Sequence, residues 1–284
     1  MAGVRLVCTD LDGTLLDAAG TVGPATRAAL AEADRRGLPV AYVTGRPLRD
    51  ALGAVHDHGF RGLVVCSNGA VTVEASTGRV LERRGFTAGD AARLLARLRA
   101  RVPGVVLGVD TVRGLWLEPG FAELVPDCWT HTAVPDAVAA LSADDPPVKV
   151  LAVHAGLPAA PLGDLLVRPG DAVEATRSTP HFVEISPRGV DKGTSLRRLA
   201  GHYGVPVTAT AAVGDMPNDL PMLRAAGLAA AVANAHPEVL AAADLVLPGN
   251  EEEGVARLVE AICAGLPAPT VRPGERGPTA RPAR

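Results

Sequence analysis

Two aspartates stand two positions apart directly after the first apolar segment of the chain. Asp10 and Asp12 follow the run Val4–Cys8, and a glycine and a threonine come next. In open α/β sheets, ligands bind in the crevice at the carboxyl ends of the strands. A single aspartate there is also an ordinary cap or turn residue. The pair therefore predicts a site only if other strand ends deliver matching groups.

Three further apolar runs end in the same way. The runs are Val40–Val43, Leu63–Cys66 and Ala211–Val213. The polar residues that follow them are, in turn, Thr44-Gly45-Arg46, Ser67-Asn68-Gly69 and Gly214-Asp215 with Asn218 and Asp219. Carboxylates brought this close repel one another, so a cation must offset their charge. Hard oxygen ligands at near-octahedral spacing suit Mg²⁺.

Lysine is scarce in this chain. Of 28 Lys and Arg residues only Lys149 and Lys192 are lysines, so 26 are arginines. A lysine that remains indicates a place where a planar guanidinium would not serve. Lys192 opens a predicted helix, where the helix dipole disfavours a cation, so it needs a local reason. Lys149 lies among valines in a strand pattern, and we expect its amine to reach outward to solvent.

The elements that position these residues alternate between strand and helix. The apolar runs read as strands buried on both faces, as in a parallel sheet covered by helices. Five helical segments, each followed by a glycine, are Pro24–Arg36, Pro47–His58, Thr194–Tyr203, Asp219–Ala226 and Val255–Ala264. This alternation predicts a doubly wound, Rossmann-like α/β core over residues 1–82 and 189–264.

The middle of the chain, residues 83–188, has a different pattern. Thr87 can cap a helix, and strand-like pieces follow without strict alternation, the last two forming a potential hairpin. We predict an α+β cap domain inserted into a discontinuous core. The tail, residues 265–284, is rich in Pro, Gly and Arg, and we expect it to be disordered.

Composition excludes several classes of protein. A net charge of −3 argues against a nucleic-acid binder, which would be basic. No apolar run approaches the ~18 residues of a membrane span. The four cysteines form no C-x-x-C, and we expect no disulfide or zinc framework and a cytoplasmic location. Neither G-x-G nor G-K-[ST] occurs, so a dinucleotide fingerprint and a P-loop are both absent.

The motifs resemble, in order and spacing, the four motifs of the haloacid dehalogenase (HAD) superfamily. These are Asp10-x-Asp12-Gly13-Thr14-Leu15, Thr44-Gly45-Arg46, Asp191-Lys192-Gly193 and Gly214-Asp215-x-x-Asn218-Asp219-x-x-Met222-Leu223. Further segments resemble the Cof-type branch with a type IIB cap, namely Ser67-Asn68-Gly69-Ala70, Glu184-Ile185-Ser186-Pro187-Arg188-Gly189-Val190, Ala233-Asn234-Ala235 and Glu253-Gly254-Val255-Ala256. The resemblance covers residues 4–262.

The resemblance implies three catalytic roles. Asp10 would be the nucleophile that forms an aspartyl-phosphate. Asp12 would be the general acid and then the general base. Lys192 would neutralise phosphate charge beside Asp10.

It also implies a ligand set. The phosphoryl group would be held by Thr44, the backbone N–H groups of Leu11 and Gly45, the side chain of Asn218, and Lys192. Mg²⁺ would be held by Asp10, the backbone carbonyl of Asp12, and Asp215. Supporting residues around these ligands would be Asp219, Arg46 and Asn68, with Arg46 either touching substrate or pairing within the protein.

The resemblance implies a Mg²⁺-dependent phosphomonoester hydrolase. Its cap would close over a small phosphorylated metabolite, either a sugar phosphate or a phosphorylated cofactor. Two alternatives stay open at this point: a phosphomutase on sugar phosphates, and a non-catalytic regulator that binds a phosphorylated ligand. We expect no nucleic-acid or membrane partner and a monomer or homodimer.

Overall fold

The computed structural model describes residues 3–125 and 129–265. Their strands form an eight-stranded sheet and a separate six-stranded sheet. The strands, in chain order, are β1 (Leu6–Thr9), β2 (Val40–Val43), β3 (Leu63–Cys66), β4 (Val71–Glu74), β5 (Val80–Arg83), β6 (Val106–Asp110), β7 (Leu115–Leu117), β8 (Thr132–Ala133), β9 (Lys149–Val153), β10 (Val173–Thr176), β11 (Val183–Pro187), β12 (Thr210–Gly214), β13 (Leu228–Val232) and β14 (Leu245–Leu247).

The eight-stranded sheet has the order β14-β13-β12-β1-β2-β3-β4-β5. All its neighbours from β14 to β3 pair in parallel. Strand β1, the first in the chain, therefore lies between β12 and β2, where the strand order reverses. Such a switch point opens a crevice outside the carboxyl ends of the strands.

The helices are α1 (Pro24–Arg35), α2 (Leu48–His58), α3 (Ala88–Arg101), α4 (Phe121–Leu124), α5 (Ala159–Leu166), α6 (Lys192–His202), α7 (Leu220–Ala225), α8 (Pro237–Ala242) and α9 (Gly254–Ala264). Local chemistry sets their ends. Pro24 opens α1, and Gly59 ends α2 in the left-handed conformation. The Asp191 carboxylate accepts from the Thr194 N–H at the start of α6, which fixes Lys192 in the first turn.

The predicted α/β fold with an inserted α+β cap is confirmed. The six-stranded sheet has the order β10-β11-β9-β6-β7-β8, and β10 and β11 form the expected antiparallel hairpin. Helix α3 is capped by the Thr87 hydroxyl, as predicted. Each sheet has its own apolar cluster, built around β1, β2 and β12 in one case and around α3, β6 and β9 in the other. The predicted boundaries at 82 and 189 stay predictions.

Four strands were not expected from the sequence: β4 and β5 in the large sheet and β7 and β8 in the cap. After β3 the chain continues through β4 and β5, which pair antiparallel at the edge of the large sheet instead of crossing over by a helix. Strand β5 is largely exposed and carries charged residues, so it lacks the apolar run that identified the central strands. The tail from Leu266 onward and Cys128 lie outside the described residues.

Among the described residues, no helix is long and apolar enough to cross a membrane.

Candidate active site

The parallel strands β1, β2, β3 and β12 bring the polar strand ends together. The Asp10 N–H donates to the carbonyl of Val213 on β12, at 3.0 Å. The Thr44 N–H donates to the carbonyl of Val65 on β3, at 2.8 Å. Asp10, Thr44, Asn68 and Asp215 are all buried at this edge of the sheet.

Three buried carboxylates form the centre of the site. Oxygens of Asp10, Asp215 and Asp219 lie within 4.8 Å of one another. The ammonium of Lys192 lies 2.8 Å from the Asp10 carboxylate and 2.7 Å from the Asp219 carboxylate. Lys192 is fully buried. Its ammonium offsets one negative charge of a cluster that carries three when ionised.

The environment shifts the pKa values in this cluster. Burial, and then the negative charge of Asp219, raise the pKa of Asp10 well above its usual value, against the opposing effect of Lys192. Burial and Asp219 likewise raise the pKa of Asp215 to about 7. Burial lowers the pKa of Lys192, but Asp10 and Asp219 outweigh burial, so its pKa lies above the usual value. The chain by itself leaves this cluster short of positive charge.

Neighbouring groups hold the three carboxylates in place. The Thr14 hydroxyl donates to Asp215 at 2.8 Å, and the backbone N–H groups of Asp215 and Met216 donate to Asp219 at 3.0 Å. Gly13 passes close to the cluster with a φ of +70°, and a Cβ there would lie 2.6 Å from an Asp215 oxygen. The turn after β1 therefore requires glycine for both conformation and space.

The donor set suits a divalent cation. It consists of carboxylate oxygens, which hard cations prefer, and its negative charge exceeds the single positive charge of Lys192. Burial and, after it, the charge of Asp219 raise the pKa values of Asp10 and Asp215, and a bound cation would oppose both effects. The predicted metal ligands Asp10 and Asp215 are both in this cluster, whereas the Asp12 carboxylate points elsewhere.

Asp12 is held by Arg46. The guanidinium donates to both carboxylate oxygens, through Nε at 2.8 Å and through an Nη at 2.5 Å. The hydrogen bonding that Arg46 donates to the Asp12 carboxylate raises the pKa of Arg46. About half of the Asp12 side chain is exposed, at 52%. The sequence left open whether Arg46 touches substrate or pairs within the protein, and in the structure it pairs with Asp12.

The remaining predicted residues surround the same crevice. The Asn218 amide donates to the Asn68 side-chain oxygen at 3.0 Å, and Asn68 adopts a φ of +58° to present it. The hydroxyl of Thr44 accepts from the Arg46 N–H at 3.0 Å, which closes the Thr44-Gly45-Arg46 turn. The Leu11 carbonyl accepts hydrogen bonds from the backbone N–H groups three to five positions later, in the turn after β1.

The expectation for Lys149 is wrong. Its ammonium does not reach solvent: the residue is fully buried in the six-stranded sheet. It donates to the Glu184 carboxylate at 2.7 Å and to the backbone carbonyl of Gly45 at 2.7 Å. It also lies 5.3 Å from the centre of the Trp129 ring. A cap lysine thus holds the turn that carries Thr44.

The Lys149 contacts continue into a buried polar network between the two sheets. Asp110, at the end of β6, lies 3.9 Å from the Lys149 ammonium and accepts from the Ser67 hydroxyl at 2.6 Å. Burial raises the pKa of Asp110 to about 6, although Lys149 and Ser67 oppose the shift. Cap and core are joined by charged hydrogen bonds at this point.

A cavity of about 260 Å³ lies between the cap and the strand ends. Asp10, Asp12 and Asn218 form its floor. Sequence analysis missed most of the rest of its lining, because these side chains come from the cap and from the β10–β11 turn. A turn signal at Ser178-Thr179-Pro180 was visible in the sequence, but the position of that turn over Asp10 was not. The missed residues are Phe121, Val125, Trp129, Leu151, Ser178, Thr179, His181 and Phe182.

Comparisons with known proteins agree with this geometry. The family model of the haloacid dehalogenase-like hydrolases matches residues 7–259. Phosphatase YwpJ of Bacillus subtilis (strain 168) is 26% identical over 294 residues, covering 90% of this chain and 99% of the relative. The 5-amino-6-(5-phospho-D-ribitylamino)uracil phosphatase YcsE of the same bacterium is 26% identical over 257 residues, covering 90% and 94%.

A solved structure extends the likeness to the cap. The HAD subclass IIB sugar phosphatase BT4131 superposes with a TM-score of 0.77 at 20% identity, over 91% of this chain and 99% of that one. At this identity the match shows the fold. Together with the family match, it confirms the resemblance to the HAD superfamily and to its type IIB cap.

Replacing the buried cap lysine tests the network. Lys149→Met leaves Glu184 and Asp110 buried without their cation, so we expect a loss of about 3–5 kcal/mol in the free energy of unfolding. The loss is measured by comparing the melting temperatures of the wild type, Lys149→Met and the double variant Lys149→Met/Glu184→Gln. The double variant should melt higher than the single one. Equal melting of Lys149→Met and the wild type would contradict the ion pairing.

The raised pKa of Asp215 predicts a pH dependence of stability in chelator. Its pKa is about 7 in the folded chain and 3.8 as the ordinary value. The folded state therefore binds a proton more tightly, and stability falls as pH rises between these values. We expect the melting temperature in chelator to fall from pH 5.5 to pH 8, and to fall less in Asp215→Asn. The same slope in both proteins would contradict the assignment.

Proposed function

This chain belongs to the haloacid dehalogenase-like hydrolases and is a phosphatase of that family, and we propose that it hydrolyses small phosphomonoesters with Mg²⁺ through an aspartyl-phosphate on Asp10. One observation carries the proposal. The buried ammonium of Lys192 lies 2.8 Å from the Asp10 carboxylate. Asp10 in turn lies at the floor of a cavity that is large enough for a small ester. A nucleophile, a fixed cation and a ligand space thus share one place.

The first step transfers the phosphoryl group to Asp10. One oxygen of the Asp10 carboxylate attacks phosphorus, and the bond from phosphorus to the ester oxygen breaks. Lys192 lowers the repulsion between the two anions, which is the main obstacle to this attack. The Thr44 hydroxyl, the Asn218 amide and the N–H groups of Leu11 and Gly45 orient the phosphoryl oxygens.

Asp12 acts as the general acid and then as the general base. It donates a proton to the departing alkoxide and later accepts one from the water that attacks phosphorus and frees Asp10. Arg46 donates two hydrogen bonds to the Asp12 carboxylate, at 2.8 and 2.5 Å. For Asp12 to act as an acid, Arg46 must give up at least one of these bonds when substrate binds. Arg46 and Asp12 would then separate by a side-chain rotation.

Asp10, Asp215 and the backbone carbonyl of Asp12 would hold Mg²⁺, with Asp219 orienting its neighbours. The metal would supply further positive charge at the phosphoryl oxygens. The short supply of cations in the cluster supports this assignment. Asp219 contributes by fixing Lys192 and by accepting from two backbone N–H groups.

Small metabolites are the proposed substrates, either sugar phosphates or phosphorylated cofactors. The cavity of about 260 Å³ is below the ~300–1,000 Å³ of sites for drug-sized ligands, and the cap roofs it. The relatives named above act on a phosphorylated ribityl compound and on sugar phosphates. The proposed cap spans residues 83–188. Cytoplasmic location and a monomer or homodimer stay predictions.

Asp10→Asn tests the nucleophile. An amide cannot attack phosphorus, so we expect release of inorganic phosphate to fall at least about 10³-fold across a panel of phosphorylated metabolites. The matched control is Asp57→Asn, the same exchange at an exposed position of α2, which should retain full activity. Near-normal turnover by Asp10→Asn would refute the covalent mechanism. Isomer formation without phosphate release would indicate a mutase.

Metal removal tests the ligand cluster. A chelator should abolish phosphate release, Mg²⁺ should restore it, and Ca²⁺ should not, because Ca²⁺ takes more ligands in looser geometry. Asp215→Asn should require a higher Mg²⁺ concentration for half-maximal activity. Full activity in chelator would contradict the metal assignment.

A further inference from the structure

The cavity has a polar end and an apolar end. Beside the core, Asp10, Asp12 and Asn218 supply charged and amide groups. The cap contributes the polar residues Ser178, Thr179 and His181 and, as the larger part of its lining, five apolar side chains that form an apolar wall: Phe121, Val125, Trp129, Leu151 and Phe182. Because the phosphoryl group must lie at Asp10, the alcohol part of the ester must face this apolar wall.

The aromatic side chains of the wall support one another. Trp129 packs edge-on against Phe182 with ring centres 5.5 Å apart, and Phe121 lies 6.2 Å from Phe182. Phe121 and Phe182 are almost completely buried, whereas Trp129 is half-buried at the cavity. Lys149 lies 5.3 Å from the Trp129 ring and contributes to fixing it. The wall is thus built of rings that pack against one another, and Trp129 is the most accessible of them.

Two unpaired hydrogen-bonding groups of the cavity lie near its phosphoryl end. The Ser178 hydroxyl and the Asn218 side-chain oxygen are buried and have no hydrogen-bond partner among the described residues. Ser178 lies beside the phosphate turn, since a Cβ built on Gly45 would be 3.3 Å from its Cβ. A ligand that satisfies these two groups does so close to its ester oxygen.

The described cap residues that line the cavity include no lysine and no arginine. Arg46 is paired with Asp12, and Lys149 is fully buried behind Trp129 in its contacts with Glu184 and Gly45. Among the described cap residues that line the cavity, His181 is the one ionisable side chain. Among the described lining residues of the cap, a second phosphate or a carboxylate at the far end of the substrate would therefore find only the imidazole of His181 to pair with.

Resting on the proposed function, we propose that the preferred substrate is the phosphate monoester of a primary alcohol carried by a compact apolar ring. The ring stacks or packs edge-on against Trp129 and Phe182. A polyol of similar size is disfavoured, because its hydroxyl groups would lose water against carbon and leave hydrogen bonds unmade. The apolar wall thus selects the leaving group, while Asp10 and Lys192 act on the phosphate that all substrates share.

Benzyl phosphate and glucose 6-phosphate distinguish the two kinds of alcohol. Both are phosphates of primary alcohols, so the reacting bond is alike. With Mg²⁺, kcat/KM for benzyl phosphate should exceed that for glucose 6-phosphate by at least about tenfold. Equal values, or a preference for the sugar phosphate, would overturn the proposal and leave the phosphatase activity intact.

Variants of the two cap tryptophans locate the effect. Trp129→Ala should lower kcat/KM for benzyl phosphate about tenfold and change that for glucose 6-phosphate by less than about twofold, and Trp129→Phe should retain most of the activity. The control is Trp116→Ala, which removes a half-buried indole of β7 outside the cavity lining. The proposal would be overturned if Trp129→Ala lowered kcat/KM equally for both substrates and Trp129→Phe lowered it as much as Trp129→Ala.

Binding of an unreactive ligand separates this inference from the reaction itself. Benzylphosphonate and methylphosphonate share the phosphoryl contacts, and only the first carries a ring. Calorimetric titration of the wild type in Mg²⁺ should give a Kd for benzylphosphonate at least about tenfold lower than for methylphosphonate, with the difference lost in Trp129→Ala. Equal Kd values overturn the inference. Ring-dependent binding without hydrolysis of any ester would refute the proposed function, and with it the substrate assignment, and would leave only the binding of a ring by the cap wall.

Discussion

The site depends on the placement of one buried ammonium among three buried carboxylates. Asp10, Asp215 and Asp219 lie within 4.8 Å of one another, and only Lys192 among the described residues forms an ion pair with members of this group. Removing such charges from water is costly unless they are paired and hydrogen-bonded. The capping box of α6, the turn at Gly13 and the N–H groups that donate to Asp219 all serve to hold this arrangement. The remaining negative charge suits the cluster to a cation, as proposed above.

The cap contributes to the site in two separate ways. Its buried Lys149 donates to the Gly45 carbonyl and so reaches into the turn that presents Thr44. Its apolar wall faces the acidic floor across the cavity. The first contact fixes the phosphate end of the pocket, and the second defines the space for the rest of the ligand. A change in cap position would alter both together, because Lys149 and Trp129 lie side by side.

Much of the core could be predicted from the sequence because its signals are local. Apolar runs of branched residues marked β1, β2, β3 and β12, and the rule that parallel strands share a carboxyl edge placed Asp10, Thr44 and Asp215 together. The edge strands β4 and β5 were not predicted because they are partly polar or exposed and so lack a continuous apolar run. The scarcity of lysine pointed to Lys192, yet the same reasoning was not carried through to Lys149.

The sequence by itself determined which groups stand at the strand ends and which family they resemble. Only the tertiary structure decided the partner of each charge. Arg46 finds Asp12 across 34 positions, and Lys149 finds Gly45 across 104. Local patterns of residue type report which side chains face away from water, but they carry no information on which distant element packs against them. The partners of Lys149 and the apolar roof over Asp10 follow from the docking of the cap on the core, which is a long-range contact.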